Sequence, residues 1–187
     1  FESAYYFQID GTYISSQTKN GLIIVHQQRA HQRILYEYFK QNRNAKMSSQ
    51  KLIFPEKISL SKKDISEISD IKTELNNVGF EIDIKEDCIE IHAIPQQCKN
   101  EDLIKLFDEI LKEQEVENSD LKEKFSLKLC KTLSNSLSIK RGKKLTQEEM
   151  RLLIGELLKC ETPSISPFGL NTYFNIKTEE INKKFNK

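Results

Sequence analysis

Histidine and carboxylate side chains that lie close together can hold a divalent metal, and this chain offers one such stretch in His26, His31 and Glu37. The spacing departs from H-E-x-x-H, in which two histidines share one helix face. Gln27, Gln28 and Gln32 interrupt the set, and glutamine binds metals poorly. The stretch is therefore expected to be a polar junction between two elements. Cys88, Cys98, Cys130 and Cys160 form no C-x-x-C pair and have no close histidine. They read as ordinary thiols of a reducing compartment, not as a disulfide framework or a zinc site. No G-x-S-x-G elbow supports a nucleophilic serine, and no glycine-rich loop is spaced to cradle phosphate.

Two further stretches suggest binding rather than catalysis. Lys140, Arg141, Lys143 and Lys144 crowd one loop, which reads first as an ordinary solvated loop and otherwise as a place where cationic groups meet DNA phosphates without reading sequence. No interleaved aromatics suggest base stacking there. The segment Gln50-Lys51-Leu52-Ile53-Phe54-Pro55 sets a glutamine ahead of an aliphatic, an aromatic and a proline. An extended peptide of this kind can place Gln50 in a polar pocket and Ile53 and Phe54 in a groove, with Pro55 lowering the ordering cost. The same residues could instead enter a strand with Ile53 and Phe54 in the core.

The 187 residues carry 29 basic and 28 acidic side chains, a net charge of +1. Charged residues are 30% and hydrophobic ones 37%, and mean hydropathy is −0.57, the balance of a soluble globular chain. No apolar run approaches the roughly 18–20 residues of a membrane span. The opening at Phe1, without a basic and apolar leader, reads as a piece of a longer protein with no signal peptide. The near-neutral total hides three blocks. Residues 1–55 have 7 basic and 3 acidic side chains, residues 56–120 have 8 and 18, and residues 121–187 have 14 and 7. The pattern suggests an acidic subdomain inserted into a basic one built from both chain ends.

The elements that must position these residues follow from periodicity. Ala4–Ile9, Thr12–Gln17 and Leu22–Val25 read as three antiparallel strands, turned at Asp10-Gly11 and Lys19-Asn20-Gly21. The unbroken apolar run Leu22–Val25 predicts burial on both faces. Ala30–Asn42 has helical spacing through Ile34, Leu35, Tyr38 and Phe39. Leu52–Leu60 is extended, with Pro55 as a breaker. A helix capped by Ser61 runs to Val78 and ends at Gly79, followed by strands over Phe80–Ile84 and Ile89–Ala93. Asn100 caps a helix to Glu113, and polar stretches at 43–50 and 115–120 are boundaries. Further helices are expected over 120–137 and from Thr146 to Lys159. A strand over Tyr173–Lys177 leads to a last helix to Phe185.

The opening hairpin, the strand Leu22–Val25 and the run His26–Glu37 resemble the C-terminal domain of the MutL family of DNA mismatch-repair proteins. The likeness continues through Gln50–Pro55, the βαββα middle, Cys130 and the closing helix, and so covers essentially the whole chain. It implies an α/β (α+β) fold of two subdomains: a dimerisation subdomain from 1–47 and 121–187, and an inserted regulatory subdomain over 48–120. It implies a homodimer whose ATPase lies in a separate N-terminal domain, and a cytoplasmic, nucleoid-associated bacterial protein. Implied partners are a second copy, the replication sliding clamp, the mismatch-recognition protein MutS and, weakly, DNA. No membrane partner and no cofactor are implied.

Many members of the family nick DNA with metal held by D-Q-H-A-x-x-E-x-x-x-x-E and C-P-H-G-R-P. Here His26, Gln28, Arg29 and Gln32 replace the first motif's Asp, His, Ala and first Glu, while Gln27 and Glu37 match. Ser166 and Phe168 replace the Cys and His of the second, and Cys130 matches a further family cysteine. The resemblance therefore implies a non-catalytic domain with no metal site. The rival is a rearranged metal nuclease using His26, His31, Glu37 and Cys130. The family's clamp-binding motif, Gln-x-x-aliphatic-aromatic-Pro, falls on Gln50, Ile53, Phe54 and Pro55.

Overall fold

The structure is a computed structural model that describes residues 5–42, 47–98, 102–114 and 122–185. Ala4, Asn100 and most of the two polar boundary stretches lie outside these residues. The fold is mixed α+β, as expected, with two separate antiparallel sheets. The chain divides into two compact units, 1–37 with 138–187, and 38–137. The divisions fall within the first helix, after Glu37, and after Leu137.

In the first unit, β1 (Tyr6–Ile9), β2 (Tyr13–Thr18), β3 (Gly21–His26) and β7 (Tyr173–Lys177) form a sheet in the order β1-β2-β3-β7. The Asp10-Gly11 turn closes with Ile9 O accepting from Thr12 N–H at 3.0 Å. Both turn residues have positive φ, 50° and 54°, as a type I′ turn requires. The inner face carries Tyr6, Ile14, Ile23 and Val25. These pack with Ala30 of α1 (Gln27–Asn42) and with Met150, Leu153, Ile154 and Leu157 of α6 (Gln147–Lys159). Helix α6 starts on the predicted capping box, Thr146 Oγ1 accepting from Glu149 N–H. Its spacing of apolar residues turns one stripe onto the sheet.

The run Leu22–Val25 corrects a sequence expectation. Ile23 and Val25 are buried, but Leu22 and Ile24 are only half-covered, because among the described residues α1 and α6 pack on the opposite face and only α7 (Thr178–Phe185) borders this one. Helix α1 also starts three residues earlier than predicted, directly from β3.

In the second unit, β4 (Ser49–Ser59), β6 (Cys88–Pro95) and β5 (Glu81–Ile84) form a sheet in the order β4-β6-β5. The expected Ser61–Val78 helix is two pieces, α2 (Lys62–Asp70) and α3 (Lys72–Asn77), broken at Ile71. The break leaves Ile68, Ile71, Leu75 and Val78 all buried. Gly79 follows with φ 103°, fulfilling its predicted role as a helix terminator. Pro55 does not break its strand: β4 runs through it, with the register slipping between Lys51 and Glu56. An irregularity of this kind is where a strand tolerates a residue with no N–H. Helices α4 (Leu103–Gln114) and α5 (Lys122–Ser136) pack on one another, and Phe107 meets Phe80 edge-to-face at 5.4 Å.

Candidate functional site

Side chains alternate across a strand, so filling the inner face of the first sheet fixes what the outer face shows. The register places Phe7 beside Ser15 and Ile9 beside Tyr13. Ser15 then meets Ile24 and Gln17 meets Leu22. Ile24 and Leu22 in turn pair with Phe174 and Ile176. A contiguous apolar surface results, with Phe7 66%, Ile9 48% and Phe174 54% exposed. Helix α7 (Thr178–Phe185) flanks it and buries no residue of its own. Between α7 and β1 runs a groove of about 510 Å³ lined by Tyr5, Phe7, Leu22 and Ile181. Uncovered apolar surface of this kind makes the face a candidate interaction surface. The sequence signal for it was present, since apolar residues in β1 to β3 occupy both alternating sets.

His26 belongs to this same outer face, with its ring edge-on to Tyr13 at 5.3 Å. Burial, then the nearby Arg29, lowers its pKa. His31 turns elsewhere. Its Nδ1 accepts from Ile139 N–H at 3.0 Å, and burial with Lys143 pulls its pKa down to about 4. It is a neutral acceptor at ordinary pH.

Glu37 has a third set of partners. Its carboxylate accepts from Glu161 N–H at 2.7 Å and Thr162 N–H at 3.2 Å, and meets Arg33 Nη1 at 3.4 Å. Arg33 Nε donates to Ile165 O at 2.6 Å, and Arg29 donates to Asn171 O at 3.1 Å. Residues 29, 33 and 37 lie at i, i+4 and i+8 on α1, so one helical stripe holds the loop over 161–171. Sequence reading passed over Arg29 and Arg33, although this spacing was visible. Ser166 is a buried turn-former whose Oγ accepts from Phe168 N–H and Leu170 N–H, and Phe168 projects outward. Cys160 is half-buried and near Glu37; burial first, then that carboxylate, pushes its thiol up to about 12. Gln28 and Gln32 lie on α1, and Cys130 is a buried residue of α5 in the other unit. His26, His31 and Glu37 are thus not gathered around a common point. Among the described residues, the His, Cys, Asp and Glu side chains close enough to share an ion are Asp83, Glu90 and His92.

The basic loop is built onto the opening hairpin. Gly142 N–H donates to Gly11 O at 2.9 Å, and Lys143 O accepts from Gln8 Nε2 and Gln27 Nε2. The approach is so close that a Cβ on Gly11 would lie 2.8 Å from Gly142 Cα. Arg141 is tethered to Thr12 Oγ1 at 3.3 Å, while Lys140, Lys143 and Lys144 are exposed.

In the second unit, Ile53 is 92% and Phe54 82% exposed on β4, with Gln50 and Pro55 also exposed. They do not anchor a core.

Residues 6–145 match the family described as the MutL C terminal dimerisation domain. The chain is 33% identical over 183 residues to the DNA mismatch repair protein MutL of Flavobacterium psychrophilum, covering 96% of this chain and 30% of that protein. It is 34% identical over 188 residues to the MutL of Flavobacterium johnsoniae, covering 96% and 28%. Against the MutL of Kosmotoga olearia it is 31% identical over 175 residues, covering 94% and 29%. The chain therefore spans about three-tenths of the length of these relatives.

Proposed function

This chain belongs to the MutL C-terminal dimerisation domain family, and we infer that it joins two copies of itself through the outer face of its four-stranded sheet. The observation that carries this reading is the exposed apolar surface of Phe7, Ile9, Tyr13 and Phe174, continuous through the half-covered Ile24. A second copy of the same face supplies matching apolar surface by two-fold symmetry, as most homodimers do. Burying these aromatic and aliphatic side chains supplies the main driving force. In the longer protein, the dimer holds two chains together during DNA mismatch repair.

The domain acts as a docking module and carries no nuclease centre of its own. This is supported by Gln28, Gln32, Ser166 and Phe168, which offer a metal none of the carboxylate, thiolate or imidazole groups that nicking requires. It is also supported by Glu37, whose oxygens are occupied by Arg33 and two backbone N–H groups. The sliding clamp is the second partner, bound by Gln50, Ile53, Phe54 and Pro55. The exposure of Ile53 and Phe54 on an extended strand supports this, since such a peptide needs little ordering to enter a groove. We place the dimerisation subdomain over 1–47 with 121–187 and clamp docking on the insert over 48–120, bounds that differ from those of the two compact units at 38–47 and 121–137.

Light scattering across a dilution series tests the dimer. We expect a mass near twice 21.8 kDa. Phe7→Asp with Phe174→Asp should give a monomer with an unchanged circular dichroism spectrum. A folded double variant that stays dimeric would mean that another surface makes the contact.

A further inference from the structure

The second sheet carries a cluster that neither the dimer face nor the clamp motif uses. Asp83 on β5 and Glu90 on β6 are direct cross-strand partners. Two carboxylates opposite one another weaken a ladder unless something positive lies between them. His92, two residues along β6 from Glu90, points to the same side of the sheet. Its Nε2 lies 3.2 Å from Asp83 Oδ2, yet that nitrogen is hidden from solvent and makes no well-aligned hydrogen bond. One ligand atom from each of the three residues lies within 4.8 Å of the others. Asp83 and His92 also line a cleft of about 460 Å³, beside Asn76 and Asn77. The cleft leaves room for water on the remaining positions of an ion.

We propose that Asp83, Glu90 and His92 form a binding site for a divalent transition-metal ion of the zinc class. The imidazole selects zinc, cobalt or nickel over magnesium and calcium, which prefer oxygen ligands alone. Three protein ligands leave an open position for water, as zinc tolerates. The ion neutralises the facing carboxylates, satisfies the hidden Nε2 and cross-links β5 to β6. Two lysines compete for Glu90: Lys85 at 3.7 Å, and Lys57, its partner on β4. Both are exposed, and surface ion pairs of this kind are weak enough to yield to a divalent ion.

The test is a cobalt titration of the full chain, followed by visible absorption, with zinc as competitor. We expect one equivalent to bind, giving d–d bands without a sulfur-to-cobalt charge-transfer band, and zinc to raise the unfolding temperature. His92→Ala should weaken binding by about tenfold or more and remove the thermal shift. Asp83→Asn with Glu90→Gln keeps shape and should do the same, which covers the case of an unfolded alanine variant. No cobalt binding, a charge-transfer band from the cysteines, or unchanged affinity in the folded variants would each overturn the site.

Discussion

At the scale of single residues, two side chains that read as metal ligands are engaged in holding the fold. His31 is kept neutral as the acceptor for Ile139 N–H. An unfolded histidine titrates near 6.5, whereas this one is pulled down to about 4. Above about pH 6.5 both states are neutral and the contribution is complete. As pH falls from there toward about 4, the unfolded chain takes up a proton that the folded chain refuses, and stability is lost. The loss from this residue approaches about 2–3 kcal/mol. Urea midpoints measured down this range should fall, and His31→Asn should flatten the slope. Glu37 is the second case. Glu37→Ala strands the largely buried Arg33 guanidinium and orphans two backbone donors. We expect a destabilisation of about 3 kcal/mol by urea unfolding. On the rival nuclease reading the same variant would instead abolish a manganese-dependent nicking activity present in the parent chain. Nicking of supercoiled plasmid by the parent should not exceed a mock preparation.

At the scale of elements, strand β4 is the informative one. The sequence left Ile53 and Phe54 poised between a core and a groove, because an aliphatic–aromatic pair suits either. The structure removes the core reading: the register slips between Lys51 and Glu56, this stretch has no partners on β6, and both side chains face solvent. Ile53→Ala with Phe54→Ala should therefore cost little stability, within about 0.5 kcal/mol as for ordinary surface changes. It should weaken binding to the cognate sliding clamp by tenfold or more, since truncated aromatic anchors cost about 2 kcal/mol or more each. Surface plasmon resonance with immobilised clamp reads this directly, and unchanged affinity would leave the exposed pair without a partner. Helix α1 makes the complementary point. Its buried apolar side chains were legible from their 3.6-residue spacing. The spacing of its polar stripe was visible too, but its role was not, because Arg29, Arg33 and Glu37 also bond backbone atoms more than a hundred residues away.

At the scale of the whole molecule, charge is distributed by segment and the two kinds of binding should answer differently to salt. Apolar burial at the proposed dimer face is not screened by salt. Any DNA affinity would come from Lys140, Lys143 and Lys144, on a loop fixed to the hairpin by Gln8 and Gln27. Fluorescence anisotropy with duplex DNA should show affinity falling linearly on a log–log plot against salt, with a slope of about −0.9 per phosphate contacted. Lys143→Glu with Lys144→Glu should reduce both the affinity and the slope. A salt-independent interaction would exclude this loop as the contact. No helix among the described residues is long and apolar enough to cross a membrane.

The sequence alone determined what depends on neighbours in the chain. Periodicity located nearly every strand and helix, Asp10-Gly11 set the first turn, and Thr146 with Glu149 started α6. That Gln28, Gln32, Ser166 and Phe168 are not the side chain types that usually bind metal was equally plain, because residue identity needs no geometry. Only the tertiary structure decided which apolar residues stay uncovered. Phe7 and Tyr6 are adjacent aromatics, and the packing of α1 and α6 onto one side of the sheet buries one and exposes the other. The cluster of Asp83, Glu90 and His92 was likewise invisible until β5 and β6 paired, since strand register, not sequence spacing, brings its ligands together.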